Sequence, residues 1–117
     1  RTEFWGYSAK ESLDNEAFIK EEYQGIRPAP GYPSCPDHRL KNDIWDLLDV
    51  EQKINISLTD SLAMWPTASV SGLYFSHPQS RYFQLGRIDK DQVEAYSKSR
   101  GESIDENETW LSPVLGY

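Results

Sequence analysis

Pro28, Pro30, Pro33 and Pro36, with Gly25 and Gly31 among them, constrain this chain more than any other feature of it. Proline fixes φ and has no backbone N–H, so the segment from Gln24 to Pro36 is excluded from helix interiors and from central strands. It has to be an ordered loop or a linker. The same prolines reduce the entropy lost on ordering, so the segment is stiff before any ligand arrives, and its carbonyls are free to accept from a ligand amine. Arg27 carries a planar fork of donors that matches a carboxylate with two parallel hydrogen bonds. Gly31 permits a positive φ or a close backbone approach, and Tyr32 brings a ring that can lie against a flat base or a cationic centre. An amino-acid-like group suits such a loop; a rigid surface loop with no ligand is the plainer reading of the same composition.

On either side the pattern alternates between helix and strand signals. Asp14 or Ser12 caps a helix running to about Tyr23, with Leu13, Ala17 and Phe18 inward and Glu16, Lys20 and Glu21 outward. Leu40, Ile44, Leu47 and Leu48 recur at helical spacing, which predicts an amphipathic helix with that face inward and Asp37 as its N-cap. Ile54, Ile56 and Leu58 alternate with polar residues as in a short strand. Residues 68–75 and 81–88 lean towards strand and predict an antiparallel pair, with Gly72 and Gly86 inside it where they open space for a ligand. Asp89 caps a helix over 90–100, with Val93 and Tyr96 inward and Gly101 at its stop. Ser103 with Glu106 forms a capping box for a last helix carrying Ile104, Trp110 and Leu111, which Pro113 ends. The sum is an α+β fold, a small antiparallel sheet with helices around it.

The 117 residues fit one domain, and four Trp, seven Tyr and four Phe are a heavy aromatic load that fills cores, lines pockets or faces partners. Twelve basic against nineteen acidic side chains give a net charge of −7, which repels phosphate and argues against nucleic acid and anionic membranes. No apolar run approaches a membrane span, and Arg1-Thr2-Glu3-Phe4-Trp5 lacks the layout of a signal peptide. The lone Cys35 cannot form an internal disulfide, and no Cys/His metal spacing is present, so a cytoplasmic location is expected. The start without Met, with Phe4-Trp5 and Tyr7 close behind, reads as the tail of a longer element and hence as a fragment.

Other candidates have plain alternatives. Tyr82 and Phe83 point to opposite sides if they stand in a strand, leaving one ring available, although cross-strand packing accounts for them equally. Cys35, Asp37 and His38 suggest a nucleophile and a base, but no oxyanion donor or orienting group accompanies them. His77 beside Pro78 reads as a turn residue. Glu21 and Glu22 read as a solvated helix face, from which one carboxylate near the loop could stabilise a sulfonium.

Four blocks give a more specific signal: Gly25 through Pro36; Ala63-Met64-Trp65-Pro66 with Ala68-Ser69-Val70-Ser71-Gly72; Tyr74-Phe75-Ser76-His77-Pro78; and Trp110-Leu111-Ser112-Pro113 with Leu115-Gly116-Tyr117. In these blocks and their order the chain resembles the activation domain of vitamin B12-dependent methionine synthase. The similarity covers essentially the whole chain, including Phe4-Trp5-Gly6-Tyr7, whose family counterpart closes a longer helical segment. It implies that residues 1–117 are the C-terminal portion of a larger activation domain, with helices around a small twisted antiparallel sheet. It further implies binding of S-adenosylmethionine for the reductive re-methylation of cob(II)alamin. Cobalamin would be held by another domain of the same enzyme, and reduced flavodoxin or an equivalent reductase would supply the electron. Carried over by position, Arg27 would bind the methionyl carboxylate, Ala29, Gly31 and Tyr32 would shape the ligand slot, and Tyr82 and Phe83 would form the second contact. An acidic residue that the family sets against the ligand lies upstream of Arg1, so weaker binding and no catalysis are expected of this chain alone. The alternative is a docking module for flavodoxin or the cobalamin domain with no ligand of its own, suggested by the aromatic surplus. A hydrolase built on Cys35 is a distant third.

Overall fold

The computed structural model describes Glu3 and residues 10–117, so the expectation for Phe4-Trp5-Gly6-Tyr7 lies outside the described residues. The chain forms two compact units, one of Arg1–Arg27 with Leu73–Tyr82 and one of Pro28–Gly72 with Phe83–Tyr117.

In the first unit, Asp14 starts α1 (Asn15–Ile19) by accepting a hydrogen bond from the Ala17 N–H at 2.9 Å. The helix stops short of Tyr23 because Glu21 adopts a φ of 56°, a left-handed conformation that closes a helix. Phe18, expected inward, is 46% exposed and lies against Tyr23 with ring centroids 6.1 Å apart. Further on, Ile26 and Phe75 exchange both backbone hydrogen bonds at 2.9 Å, an isolated antiparallel bridge that buries Ile26.

In the second unit, α2 (Leu40–Leu48) and α3 (Val50–Ile54) meet at Asp49, whose left-handed backbone breaks what would otherwise be one helix. The extent of α2 matches the sequence reading, but its buried face does not. Lys41 and Trp45 are buried, whereas Leu47 is 82% and Leu48 54% exposed. The two long side chains go inward because each finds a partner there. The Trp45 indole N–H donates to the Ile56 carbonyl at 2.7 Å, and the Lys41 ammonium donates to the Leu62 carbonyl at 2.6 Å. Asp37 is not the N-cap: that position belongs to Arg39, and Asp37 instead accepts from the Arg39 N–H at 2.8 Å in the preceding turn. Ile54 is helical rather than in a strand. β1 (Ser57–Leu58) begins only after Asn55, again left-handed, and pairs antiparallel with β2 (Met64–Trp65), Ser57 opposite Trp65 and Leu58 opposite Met64.

Residues 68–75 and 81–88 form neither strands nor a pair with each other, which corrects the expectation. Their backbone groups are taken elsewhere: Phe75 by Ile26, and Ile88 by Val114 and Gly116, both at 2.9 Å. Tyr82 and Phe83 therefore stand in irregular backbone. Gly86, at a φ of 72°, is incompatible with an extended strand. Gly72 does serve a close approach, since a Cβ there would lie 2.9 Å from the Pro28 carbonyl oxygen.

The two last helices follow their signals. α4 (Lys90–Arg100) opens at Asp89, whose N–H donates to the Gln92 side chain at 2.9 Å, and ends on Gly101 at a φ of 70°. α5 (Ile104–Leu111) opens with the Ser103 hydroxyl accepting from the Glu106 N–H at 3.2 Å. Ile104, expected to pack inward, is instead 37% exposed. A 3-10 turn over Ser112–Val114 then brings Leu115 beside Ile88 in a parallel bridge. Ile88, Val93 and Leu111 make the core here, with Tyr96, Val114 and Leu115 packed on it. Among the described residues the architecture is α+β, with one small antiparallel sheet.

Candidate functional site

Arg27 and Tyr82 come together in the first unit. The Arg27 N–H donates to the Tyr82 hydroxyl at 2.9 Å, across 55 residues of sequence, while the Arg27 side chain is exposed and the Tyr82 ring is half-buried. Pro28 follows, and a residue before proline is held in the extended region, so the direction in which Arg27 leaves the backbone is set twice. Tyr23 adjoins both residues. Burial first, then the neighbouring Tyr82 and Glu21, pushes its titration above the ordinary phenol value.

Gly31 and Tyr32 lie in the second unit, in a cleft of about 400 Å³. Tyr32, Pro33, Pro36, His38, Leu85 and Trp110 are among its lining residues, so the proline block and the Trp110 block identified in the sequence share one cavity. The loop around it is tied internally: Gly31 N–H to Cys35 O at 2.7 Å, Cys35 N–H to Tyr32 O at 2.8 Å, and Leu85 N–H to Pro33 O at 3.3 Å. Gly31 has a φ of 97°, and a Cβ there would sit 2.1 Å from the His38 ring, so both conformation and space demand glycine. Tyr32 is 65% and Phe83 54% exposed, and Ala29 is half-buried.

His38 is held by the buried Lys41, whose ammonium lies 2.9 Å from Nδ1. An ammonium only donates, so Nδ1 accepts and the proton of the neutral ring sits on Nε2. Burial first, then the Lys41 charge, lowers the His38 pKa against a smaller opposing effect of Asp37; burial also lowers that of Lys41.

Beneath the loop lies a charge cluster that sequence reasoning missed. The Arg39 guanidinium, on a residue 5% exposed, donates to Asp37 at 2.6 and 3.0 Å, to Glu102 at 2.6 Å and to Asn107 at 2.6 Å, and its centre stands 5.9 Å from the Trp110 ring. Tyr96 adds a hydrogen bond to Asp37 at 2.9 Å. Burial alone would raise the Asp37 pKa, but the Arg39 and Tyr96 hydrogen bonds and the Arg39 charge overcome it and leave the carboxyl below its usual range. The cluster joins the proline loop to α5 and to the turn before it. The only local sign of it was Asp37 two residues before Arg39, and that pattern is also the pattern of a cap.

Cys35 is half-buried, and burial, then Asp37, pushes its thiol up, away from the thiolate that a nucleophile needs. His77 accepts from the Gln79 N–H at 3.1 Å within its own turn. Glu21 and Glu22 are exposed. Among the described residues no helix is long and apolar enough to cross a membrane.

Comparison with known proteins agrees with this architecture. The family model of the vitamin B12-dependent methionine synthase activation domain matches residues 1–101. A crystal structure of the MetH reactivation domain bound to AdoHcy is 56% identical to this chain, with a TM-score of 0.91. The likeness covers 100% of this chain and 36% of that one, so the present sequence spans a little over a third of the solved domain. By the extent of the family match and the level of identity, the chain belongs to the activation-domain family of vitamin B12-dependent methionine synthase.

Proposed function

We propose that this chain is the C-terminal portion of the activation domain and that it binds S-adenosylmethionine for the reductive re-methylation of cob(II)alamin. The observation that carries this reading is the 2.9 Å hydrogen bond from the Arg27 backbone N–H to the Tyr82 hydroxyl, which brings a residue with an exposed guanidinium and an aromatic residue together across 55 positions of sequence. The guanidinium suits the methionyl carboxylate, the ring suits a flat or cationic group, and a net charge of −7 favours a sulfonium. Ala29, Gly31, Tyr32 and Phe83 are assigned as further contacts from the sequence resemblance. The solved relative holds AdoHcy, the sulfonium ligand without its methyl group, which favours this function over a docking module that has no ligand.

Loss of a methyl group from a sulfonium leaves a neutral thioether and moves no proton, so orientation and exclusion of water are the protein's task. Cobalamin, bound by another domain of the same enzyme, supplies the cobalt that accepts the methyl group. That domain and reduced flavodoxin or an equivalent reductase are the partners, in the cytoplasm, and this chain alone does not complete the cycle.

Calorimetric titration of the intact protein with S-adenosylmethionine tests the reading. Arg27→Ala is expected to weaken binding by about ten- to a hundredfold, the effect of losing a charge-assisted hydrogen-bond pair. Unchanged affinity would show that Arg27 does not hold the carboxylate.

A further inference from the structure

Ala29, Gly31 and Tyr32 belong to one hydrogen-bonded turn. The Tyr32 N–H donates to the Ala29 carbonyl at 3.2 Å, the Gly31 N–H to the Cys35 carbonyl at 2.7 Å and the Cys35 N–H to the Tyr32 carbonyl at 2.8 Å. The His38 ring stands against this turn, so close to Gly31 that a Cβ there would overlap it. Ring and turn leave no slack between them, and groups packed in this way transmit a displacement from one to the other. Lys41 holds the ring: its ammonium gives one hydrogen bond to Nδ1 at 2.9 Å and another to the Leu62 carbonyl at 2.6 Å. Lys41 is 5% exposed, and among the described residues no carboxylate lies within ion-pair distance of it. A buried ammonium with neutral partners alone costs stability that an apolar side chain in its place would not. A charge kept under those conditions points to a role in holding His38.

We propose that Lys41 and His38 are positioning residues for the ligand site: the ammonium fixes the neutral imidazole against Gly31, and the imidazole fixes the turn that presents Ala29 and Tyr32. The proposal rests on the reading of Ala29, Gly31 and Tyr32 as ligand contacts, and it adds two residues outside that set. The gain is in preorganisation: a slot whose parts are already immobile loses less entropy on binding. The hold depends on the protonation of the ring. Nδ1 accepts from Lys41 only while it carries no proton. A protonated ring would aim an N–H and a positive charge at the ammonium, the two cations would part, and the turn packed on the ring would move with it. Asp37 opposes this repulsion. Tyr32 is the other titratable group among the described residues lining the cleft, and those contributed from 84–86 and 110–114 carry no charge. Ligand affinity is thereby tied to a neutral His38.

Calorimetry with S-adenosylmethionine on the intact protein from pH 7.5 to 5, comparing wild type, Lys41→Met, His38→Asn and Tyr32→Ala, decides the matter. Lys41→Met keeps the length of the side chain and removes the ammonium, and is expected to weaken binding about three- to tenfold at pH 7.5, the scale of one hydrogen bond. His38→Asn sets an amide oxygen near the place of Nδ1 and cannot take up a proton. Wild-type affinity is expected to fall as pH drops below 6.5, the ordinary histidine value, and both variants are expected to lose this dependence, a result that a merely structural role would not give. The ligand's own ionisable groups are common to every titration and cancel in the comparison. Should near-ultraviolet circular dichroism show that Lys41→Met has lost its fold, the pH profile of His38→Asn decides alone. If Tyr32→Ala loses affinity while Lys41→Met does not, or if His38→Asn keeps the wild-type pH profile, the positioning role is wrong and the site stands. If Tyr32→Ala binds as wild type, the assignment of the turn to the site itself fails.

Discussion

Asp37 and Arg39 show what single residues contribute to this fold. Both are buried, and a buried charge is tolerated only when its partner and its hydrogen bonds are in place. Arg39 spends its donors on Asp37, Glu102 and Asn107, so one guanidinium fastens the end of the proline loop to segments 63 and 68 residues away. Asp37→Asn removes one of the two carboxylates that stand 2.6 Å from the guanidinium and leaves Glu102 as the other. The expected loss is about 3 kcal/mol, the scale of breaking a buried ion pair, read from the urea midpoint at neutral pH. A loss below about 1 kcal/mol, the scale of an exposed pair, would show that the cluster is not what holds the loop. Legibility at this scale divides along the same line. Gly31 was marked as a position for positive φ or close approach, and the structure requires it for both reasons, because glycine and proline act on their own backbone. Arg39, Glu102 and Asn107 were not marked, because their roles depend on partners that a linear reading does not bring together.

At the scale of elements, the signals that succeeded were local and chemical. α4 and α5 follow their caps, Asp89, Gly101 and Ser103, because each cap satisfies backbone groups within a few residues of itself. Apolar periodicity was less informative. The stripe Leu40, Ile44, Leu47 and Leu48 marked the extent of α2 but not its buried face, since Lys41 and Trp45 gain carbonyl partners that Leu47 and Leu48 have no use for. The strand reading of 68–75 and 81–88 failed because β propensity describes a pleated, half-buried surface, and these backbones are paired one residue at a time with other parts of the chain. The turn between α4 and α5 is therefore where local chemistry can be tested without rearranging the core. Gly101 has open space around a would-be Cβ, so Gly101→Ala meets only backbone strain, about 1 kcal/mol. Ser103→Ala loses the bond to the Glu106 N–H and should cost about 1 kcal/mol as well. Urea unfolding measures both. An unchanged midpoint in either variant would mean that the turn is held by the Arg39–Glu102 pair rather than by its own caps.

For the molecule as a whole, the buried ionisable groups make stability a function of pH, and the signs can be worked out group by group. Asp37 and Glu102 have depressed pKa values, the first through the Arg39 and Tyr96 bonds that outweigh burial, the second through the Arg100 hydrogen bond foremost. Their contribution is present above the ordinary values of 3.8 and 4.5 and disappears as pH falls below them, the acid limit of the fold. His38 acts at milder pH. Its pKa is lowered by burial and by the Lys41 charge 2.9 Å away, so between the folded value and 6.5 the unfolded chain binds a proton that the folded chain refuses. Stability therefore falls as pH drops from 6.5 until the folded ring also protonates, and the slope then vanishes. Protonating that ring would set two cations together beside the cleft, with Asp37 as a partial counterweight. Urea midpoints measured from pH 7.5 to 5 are expected to decline in the wild type, and His38→Gln is expected to remove this residue's share of the decline. Loss of packing against Gly31 lowers the curve of that variant without tilting it, so the slope separates the two effects. An equal slope in both proteins would mean that His38 carries its proton as readily folded as unfolded, and that neither burial nor the Lys41 ammonium disfavours the charged ring.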